Sequence, residues 1–121
     1  MSVRGISHNS LSFDVRQKVT DILEYRIADL MEFRNQLKQA HWNIRDPLFY
    51  FLHQMFDEFT TQIDDLTDNV AERSTSLGCL IHGSSKMILD RKTIKDLDIE
   101  ERTANGIISQ LVKNCAKISA D

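Results

Sequence analysis

The stretch from Leu48 to Leu77 runs for about thirty residues without a proline or a glycine, and it restricts the fold more than any other feature. Apolar side chains recur along it at steps of three and four residues, the period of one helix face. A helix of this length is more than twice the globular mean and is typical of helical bundles. We predict a helix with Asp46 as N-cap and Pro47 as first helical residue, ending near Gly78. Its predicted core-facing residues are Leu52, Phe56, Phe59, Ile63, Leu66, Val70 and Leu77.

A second long helix is predicted before this one. It begins at about Asp14, an N-cap with Gln17 in the capping-box position, and continues to His41. Residues 43–46 then turn the chain. With one proline and four glycines in 121 residues, the whole chain is predicted to be mostly helical.

The remainder of the chain predicts a connection and a third long helix. Residues 79–97 form the connection, with a short helix around residues 93–96. The third long helix begins after Asp98, with Glu101 completing a capping box. Its apolar positions are Ala104, Ile108, Leu111, Cys115 and Ile118.

Length and composition limit the class of protein. A chain of 121 residues is at most one domain, so we treat residues 1–121 as a single unit. No apolar run is long enough to span a membrane, and the start MSVRGISHNS lacks the apolar centre of a signal peptide. Cys79 and Cys115 are too few for a disulfide framework and are expected to be buried free thiols. These features favour a cytoplasmic protein.

Four potential metal ligands share one face of the central helix. At about 100° per residue, and with His53 at zero, Asp57 falls near 40°, Asp68 near 60° and Glu72 near 100°. All four therefore lie within about a quarter of the circumference, opposite the apolar face. His53 with Asp57, and Asp68 with Glu72, are pairs at positions i and i+4, whose side chains can share a ligand.

The two pairs are too far apart to bind one ion within a single helix, since their centres lie about 22 Å apart along its axis. Their positions are nevertheless symmetric, because 53 and 72 have the same sum as 57 and 68. An antiparallel copy of the helix, related by a twofold axis near residues 62 and 63, brings each pair against the opposite pair of its partner. The spacing thus predicts two identical sites between two chains, with small residues on the stripe between the pairs: Thr60, Thr61, Thr67 and Ala71.

Other interpretations of these residues remain open. Acidic residues on a long surface helix are usually solvated, and a single histidine on a helix is usually not a ligand. A di-iron site inside one bundle normally uses a Glu-x-x-His pair, and no glutamate here is followed by a histidine three residues later. Histidine and carboxylate ligands suit iron, manganese or zinc, whereas structural zinc sites normally use thiolates.

The segment KQAHWNIRDPLFYFLHQMFDE connects this spacing to a family. The HWN motif, a short turn with a proline, LHxxFDE and a downstream DxxxER closely resemble the Dps mini-ferritins, named for the DNA-binding protein from starved cells. The resemblance is dense from about Gln36 to Gly78. It implies a ferritin-like up-and-down helical bundle, with three long helices present in this chain and the fourth absent.

The resemblance also implies a function and its residues. In this family the ferroxidase centre lies between two subunits of a hollow dodecamer, and iron is oxidised by hydrogen peroxide or dioxygen and stored. Trp42 matches a tryptophan that the family places beside the iron, as a possible electron donor; an ordinary packing anchor is the alternative. The implied metal ligands are His41, His53 and Asp57 from one chain with Asp68 and Glu72 from the other.

Three departures from the family pattern keep other functions open. The chain ends at Asp121, where a third long helix should finish, and three amphipathic helices without a fourth leave apolar surface in water. We therefore expect a truncated domain, a partner that supplies the missing helix, or an assembly different from the family's hollow dodecamer. The chain also lacks the family's tyrosine-proline pair before the third long helix. The first nine residues offer only Arg4 and His8 in place of a lysine-rich tail, and the net charge is −3, so DNA binding is not expected. The alternatives are a helical assembly fragment that stores nothing, a DNA-binding stress protein and a dinuclear oxygenase.

Overall fold

Four α-helices account for the regular structure of residues 12–120, the part of the chain that the computed structural model describes. They are α1 (Phe13–Asn43), α2 (Phe49–Ser76), α3 (Ser85–Arg91) and α4 (Ala104–Ala120). A short turn joins α1 to α2, and α1 packs against each of the other three helices. The prediction of an all-α chain is confirmed. Among the described residues, no helix is both long and apolar enough to cross a membrane.

The main core lies between α1, α2, α4 and the segment before α4. The α1 face is apolar at every third or fourth position, as helical burial requires, and Ala40 at its end is fully buried. The buried members of this cluster are Phe33, Leu37, Ala40, Ile44, Leu52, Phe56, Ile94, Leu97, Ile107 and Leu111.

The predicted start of α1 is wrong by two residues. Ser12 is the N-cap, because its side chain accepts a hydrogen bond from the Val15 N–H at 3.3 Å. Asp14 instead lies in the first turn, where its negative charge favours the positive end of the helix dipole.

The predicted start of α2 is also wrong. The N-cap is Leu48, which makes no side-chain capping bond, and Pro47 precedes the helix. Asp46 accepts hydrogen bonds from the N–H groups of Leu48 at 3.0 Å and Ala104 at 2.9 Å. These two bonds, the Ala104 bond foremost, lower the pKa of the Asp46 carboxyl below its ordinary value. One carboxylate therefore joins the beginning of α2 to the beginning of α4.

The end of α2 follows the prediction. Gly78 has a φ of 85°, in the left-handed region that favours glycine, and its N–H donates to the Thr75 carbonyl oxygen at 3.0 Å.

The connection before α4 differs from the prediction. The short helix is α3, and Ser84 caps it by accepting from the Met87 N–H at 3.3 Å. Residues 93–96 are not helical, because the N–H groups of Thr93 and Ile94 donate to the buried carboxylate of Asp29 on α1. The same carboxylate accepts from the Thr93 hydroxyl at 2.6 Å.

The start of α4 lies about five residues later than predicted. The Thr103 hydroxyl accepts from the Gly106 N–H at 3.1 Å, whereas Asp98 accepts from the Glu100 N–H in the preceding turn. The proposed capping box of Asp98 with Glu101 is therefore absent, since both residues precede the helix.

An open apolar groove of about 310 Å³ runs between α1, α2 and α4. Phe59 and Leu66, predicted to face the core, are 41% and 46% exposed. Cys79 is a buried free thiol as predicted, but Cys115 is exposed on the groove. The buried residues of α4 are Ile107, Leu111 and Asn114.

Candidate metal centre

Two histidine rings meet at the turn between α1 and α2. The ring centroids of His41 and His53 are 3.6 Å apart and their planes differ by 13°. His41 Nδ1 lies 2.5 Å from the carbonyl oxygen of His53, and His53 Nδ1 lies 2.6 Å from the carbonyl oxygen of His41. Because a carbonyl oxygen only accepts, each Nδ1 carries the proton in these bonds, which leaves each Nε2 with a free lone pair.

The surroundings of this pair hold the rings in place. Phe49 stacks with His53 at a centroid distance of 5.1 Å. Arg102 Nε donates to the Asn43 carbonyl oxygen at 2.8 Å, and the Arg45 N–H donates to the Arg102 carbonyl oxygen at 2.7 Å. The loop before α4 thus fixes the turn between the two helices that carry the histidines.

Asp57 lies one helical turn beyond His53 and is bonded to a lysine. Lys38 Nζ donates to Asp57 Oδ1 at 2.5 Å across the seam between α1 and α2. This hydrogen bond is the largest influence on the Asp57 carboxyl and lowers its pKa. Desolvation is the next largest and raises the pKa, and the positive charge of Lys38, with those of His41 and His53 when they are protonated, lowers it by smaller amounts.

Asp68 and Glu72 lie farther along α2, and both residues are exposed to solvent. Asp57 and Asp68 are eleven residues apart, which corresponds to about 16 Å along the helix axis. Neither Asp68 nor Glu72 has an ion-pair partner within residues 12–120. In that same range no three His, Cys, Asp or Glu side chains are grouped closely enough to hold a metal ion.

Trp42 is two-thirds exposed (66%), so it does not pack into the core of its own chain. Tyr50 and Phe51, at the beginning of α2, are 72% and 65% exposed. Large aromatic side chains are therefore exposed at the end of α1 and the beginning of α2, and exposed aromatic residues are typical of surfaces that contact another protein.

Comparison with known proteins identifies the family. A model of the ferritin-like domain matches residues 20–120. The DNA protection during starvation protein of Agrobacterium fabrum is 33% identical over 87 residues, which are 72% of this chain and 54% of that protein. This chain is a Dps mini-ferritin of the ferritin-like family. It spans about half the length of that relative.

Solved structures of Dps proteins have the same fold as this chain. DpsC from Streptomyces coelicolor superposes with a TM-score of 0.89 at 25% identity, covering 97% of this chain and 67% of that one. A Dps protein from Vibrio cholerae O1, described as a member of a superfamily of ferritin-like diiron-carboxylate proteins, superposes with a TM-score of 0.86 at 24% identity. That match covers 95% of this chain and 73% of the other.

Within one Dps chain the structure brings only part of the predicted ligand set together. His41 and His53 are in contact, and Asp57 lies close enough for both to act on its pKa. Sequence analysis missed Lys38, whose position three residues before His41, on the same helix face, was the available signal. It also missed Phe49, four residues before His53. The predicted residues that remain apart from this group are Asp68 and Glu72.

Proposed function

We propose that this chain is a subunit of an iron-oxidising and iron-sequestering mini-ferritin whose ferroxidase sites lie between two chains. In this proposal ferrous iron is the substrate, and each site combines five side chains. They are His41, His53 and Asp57 of one chain with Asp68 and Glu72 of its twofold partner.

The observation that carries this proposal is the arrangement of the two imidazoles. Both Nδ1 atoms donate hydrogen bonds to backbone carbonyl oxygens. The Nε2 atoms of His41 and His53 therefore keep the lone pairs that can bind a metal ion. Metal-binding histidines commonly donate their other ring N–H to a carbonyl or carboxylate, which fixes the ring and raises its basicity. A solvated polar face does not require two stacked rings, each held by the backbone of the other.

The twofold arrangement is supported by what the rest of the face offers. Asp68 and Glu72 are exposed, and Thr61, near the centre of symmetry, is exposed and small. An antiparallel α2 from a second copy fits these positions because the residue numbers pair symmetrically about the axis. Trp42 follows His41 directly and Tyr50 lies about one helical turn before His53, so these two exposed aromatic residues provide apolar area for the same contact.

The chemistry follows from the ligand types. Carboxylates and imidazoles bind ferrous iron and stabilise the higher charge of the ferric product. Each ferrous ion gives up one electron, so two ferrous ions and two protons convert one molecule of hydrogen peroxide into two of water. Consuming both reactants in this way prevents formation of hydroxyl radicals. In a site that holds a single ferrous ion, Trp42, which follows His41 directly and is exposed, would supply the second electron that hydrogen peroxide needs for reduction to water.

Direct DNA binding is the second candidate, and the name of the Agrobacterium relative favours it. The net charge of −3 opposes it, since binding to phosphates depends on lysine and arginine. Arg4 and His8, the basic residues noted at the N-terminus, lie outside the described residues. Removal of iron and peroxide protects DNA without contact. A gel-shift titration at low salt distinguishes the two, because a protein that protects only by oxidising iron leaves the DNA unshifted.

The test is ferrous oxidation by purified protein, followed by the absorbance of the ferric product after addition of hydrogen peroxide. We expect rapid oxidation by the wild type and its loss in His53→Ala, with unchanged helical circular dichroism. The control is His82→Ala, which removes an exposed imidazole away from the site. Mass in solution, measured in parallel, separates an iron-storing assembly from one that binds without storing. Equal rates of ferrous oxidation in His53→Ala and the wild type would contradict the proposal and would mean that the acidic face of α2 is only a solvated surface.

A further inference from the structure

Asp64 is a further acidic residue on the face of α2 that carries the proposed ligands. With His53 at zero, it falls at about 20°, between His53 and Asp57. Its symmetric position in an antiparallel copy is Thr61, because 61 and 64 have the same sum as 53 and 72. Thr61 provides neither a carboxylate nor an imidazole, so Asp64 completes no pair of the proposed metal sites. Its charge near the centre of this face therefore needs another explanation.

Arg34 of α1 pairs with Asp64 within the chain. Arg34 Nε lies 3.3 Å from Asp64 Oδ1, and the two side chains are 37% and 52% exposed. Arg34 lies on the same face of α1 as His41, two turns before it. The pair also borders an open pocket of about 500 Å³ that Asp68 helps to line. The ion pair therefore belongs to the surface on which the proposed ligands lie.

The twofold arrangement brings two such pairs together. It places the partner's Asp64 at the level of Thr61, so the two Asp64 residues lie only about 4.5 Å apart along the helix axis. The axes of packed helices are about 8–10 Å apart. Two carboxylates at this separation repel each other, and closing the interface removes the water that screens them. A counter-charge is needed at this point, and Arg34 is the cation that each chain provides there.

We propose that Arg34 and Asp64 form a self-complementary ion-pair surface at the centre of the twofold interface, and that its partner is the same surface of a second copy of this chain. This inference rests on the twofold arrangement of the proposed function. In a single chain the exposed pair contributes little to stability. Between two chains water is excluded, and a guanidinium has enough N–H donors to bond both carboxylates, so the four side chains form one network. Arg34 thereby allows two acidic faces to meet and favours a second copy over a partner whose face is only acidic.

The dissociation constant of the dimer, measured by sedimentation at constant ionic strength without added metal, tests this role of Arg34. Arg34→Gln removes the counter-charge from the full chain. The control is Lys18→Gln, which removes an exposed positive charge from the same helix about 160° away around its axis. We expect the dissociation constant to rise about tenfold in Arg34→Gln and less than about threefold in Lys18→Gln. Equal dissociation constants in the two variants would overturn the inference.

Mixing two variants of opposite charge tests whether the two Asp64 residues meet across the axis. Arg34→Glu and Asp64→Arg each leave only like charges at the centre, so each alone should dissociate about 100-fold more readily. In a mixture, the Asp64 carboxylate that Arg34→Glu retains faces the guanidinium that Asp64→Arg introduces. We expect native mass measurements to show more heterodimer than either homodimer. A statistical distribution, or no heterodimer, would overturn the inference. If either variant fails to show helical circular dichroism, the comparison of Arg34→Gln with Lys18→Gln decides.

Thr61→Glu separates this inference from the function on which it rests. It adds a carboxylate to the same face, opposite the partner's Asp64 in the twofold arrangement. A dimer weakened by Thr61→Glu but not by Arg34→Gln would leave the twofold interface in place and remove only the role of the ion pair. A dimer that neither change weakens would remove the twofold arrangement and, with it, the shared metal sites.

Discussion

The two ends of α2 differ in how much of their surroundings the chain itself provides. At the N-terminal end, His53 stacks with His41 and Phe49, and its Nδ1 is bonded to the backbone of α1. At the C-terminal end, Asp68 and Glu72 face solvent and have no ion-pair partner within residues 12–120. We call the N-terminal end the ordered end, because contacts within the chain hold its side chains, and the C-terminal end the open end, because Asp68 and Glu72 are exposed to solvent.

This difference suggests that the two ends contribute to the proposed site in different ways. Stacked histidines with fixed tautomers present ligands in a set geometry, which limits the entropy lost when metal binds. Exposed carboxylates cost little in a single chain because water solvates them. Such carboxylates become useful as ligands once a partner's histidine pair is placed against them, so assembly and metal binding are expected to be coupled.

The largest effect is expected from the open end. Glu72→Gln should reduce the rate of ferrous oxidation by about 100-fold or more, although Glu72 contacts neither histidine of its own chain, because a proposed ligand of the partner site is lost. The matched control is Glu58→Gln, the same change at another exposed position of α2. Stopped-flow absorbance gives both rates. Equal rates would mean that the open end takes no part in the chemistry.

The next effect concerns the surface between the two ends. Thr61→Glu places a carboxylate opposite Asp64 of the partner subunit in the proposed twofold arrangement, and like charges across an interface disfavour association. We expect the dissociation constant of the dimer to rise about 100-fold, as measured by sedimentation over a range of concentrations.

Val112→Glu is the control for Thr61→Glu, since Val112 is 59% exposed on the apolar groove instead of the ligand face. Its dimer should dissociate as the wild type does. If Val112→Glu breaks the assembly and Thr61→Glu does not, the chains associate through the groove. A compact wild-type monomer, with a melt independent of concentration, would contradict both arrangements.

The smallest effect is expected at the anchor of the ordered end. Asp46→Asn should lower the free energy of unfolding at pH 7, because the charged carboxylate is bonded to the N–H groups of Ala104 and Leu48. The pKa of Asp46 is lowered by folding, so its stabilisation is present above its ordinary value of 3.8 and is lost as the pH falls through the lower folded value.

Urea unfolding at about pH 7 and about pH 3 measures this effect. The difference between wild type and Asp46→Asn should be largest at the higher pH and should shrink at the lower one. Asp65→Asn, an exposed acid of α2, should show little difference at either pH. A difference for Asp46→Asn that is unchanged between the two pH values would mean that the charge contributes nothing.

The helices could be predicted from the sequence, but their beginnings could not. Apolar spacing identifies α1, α2 and α4 because burial of one face depends on local period. The predicted cap of α2 and the predicted short helix at residues 93–96 failed because carboxylates there bond to distant backbone. Asp46 reaches Ala104, and Asp29 reaches Thr93 and Ile94, contacts between residues far apart in sequence that no local pattern reports.

The candidate site shows the same limit. His53 and Asp57 could be found from their spacing on one helix, and His41 from the family resemblance. Lys38 was missed, because a lysine is normally solvated and its partner lies nineteen residues later on another helix, and its position one turn before His41 was the one local signal. Asp68 and Glu72 remain predictions, since their proposed partners belong to a second chain.

The central claim is that each site draws ligands from two chains, and complementation tests it most directly. One variant carries His53→Ala with Asp57→Asn, and the other carries Asp68→Asn with Glu72→Gln. Alone, each variant has a defect in every site. After subunit exchange, each heterodimer contains one site with both intact pairs and one with neither, so random mixing of equal amounts should restore about a quarter of the wild-type rapidly oxidising sites. Continued inactivity, once native mass measurements show that heterodimers have formed, would contradict the account.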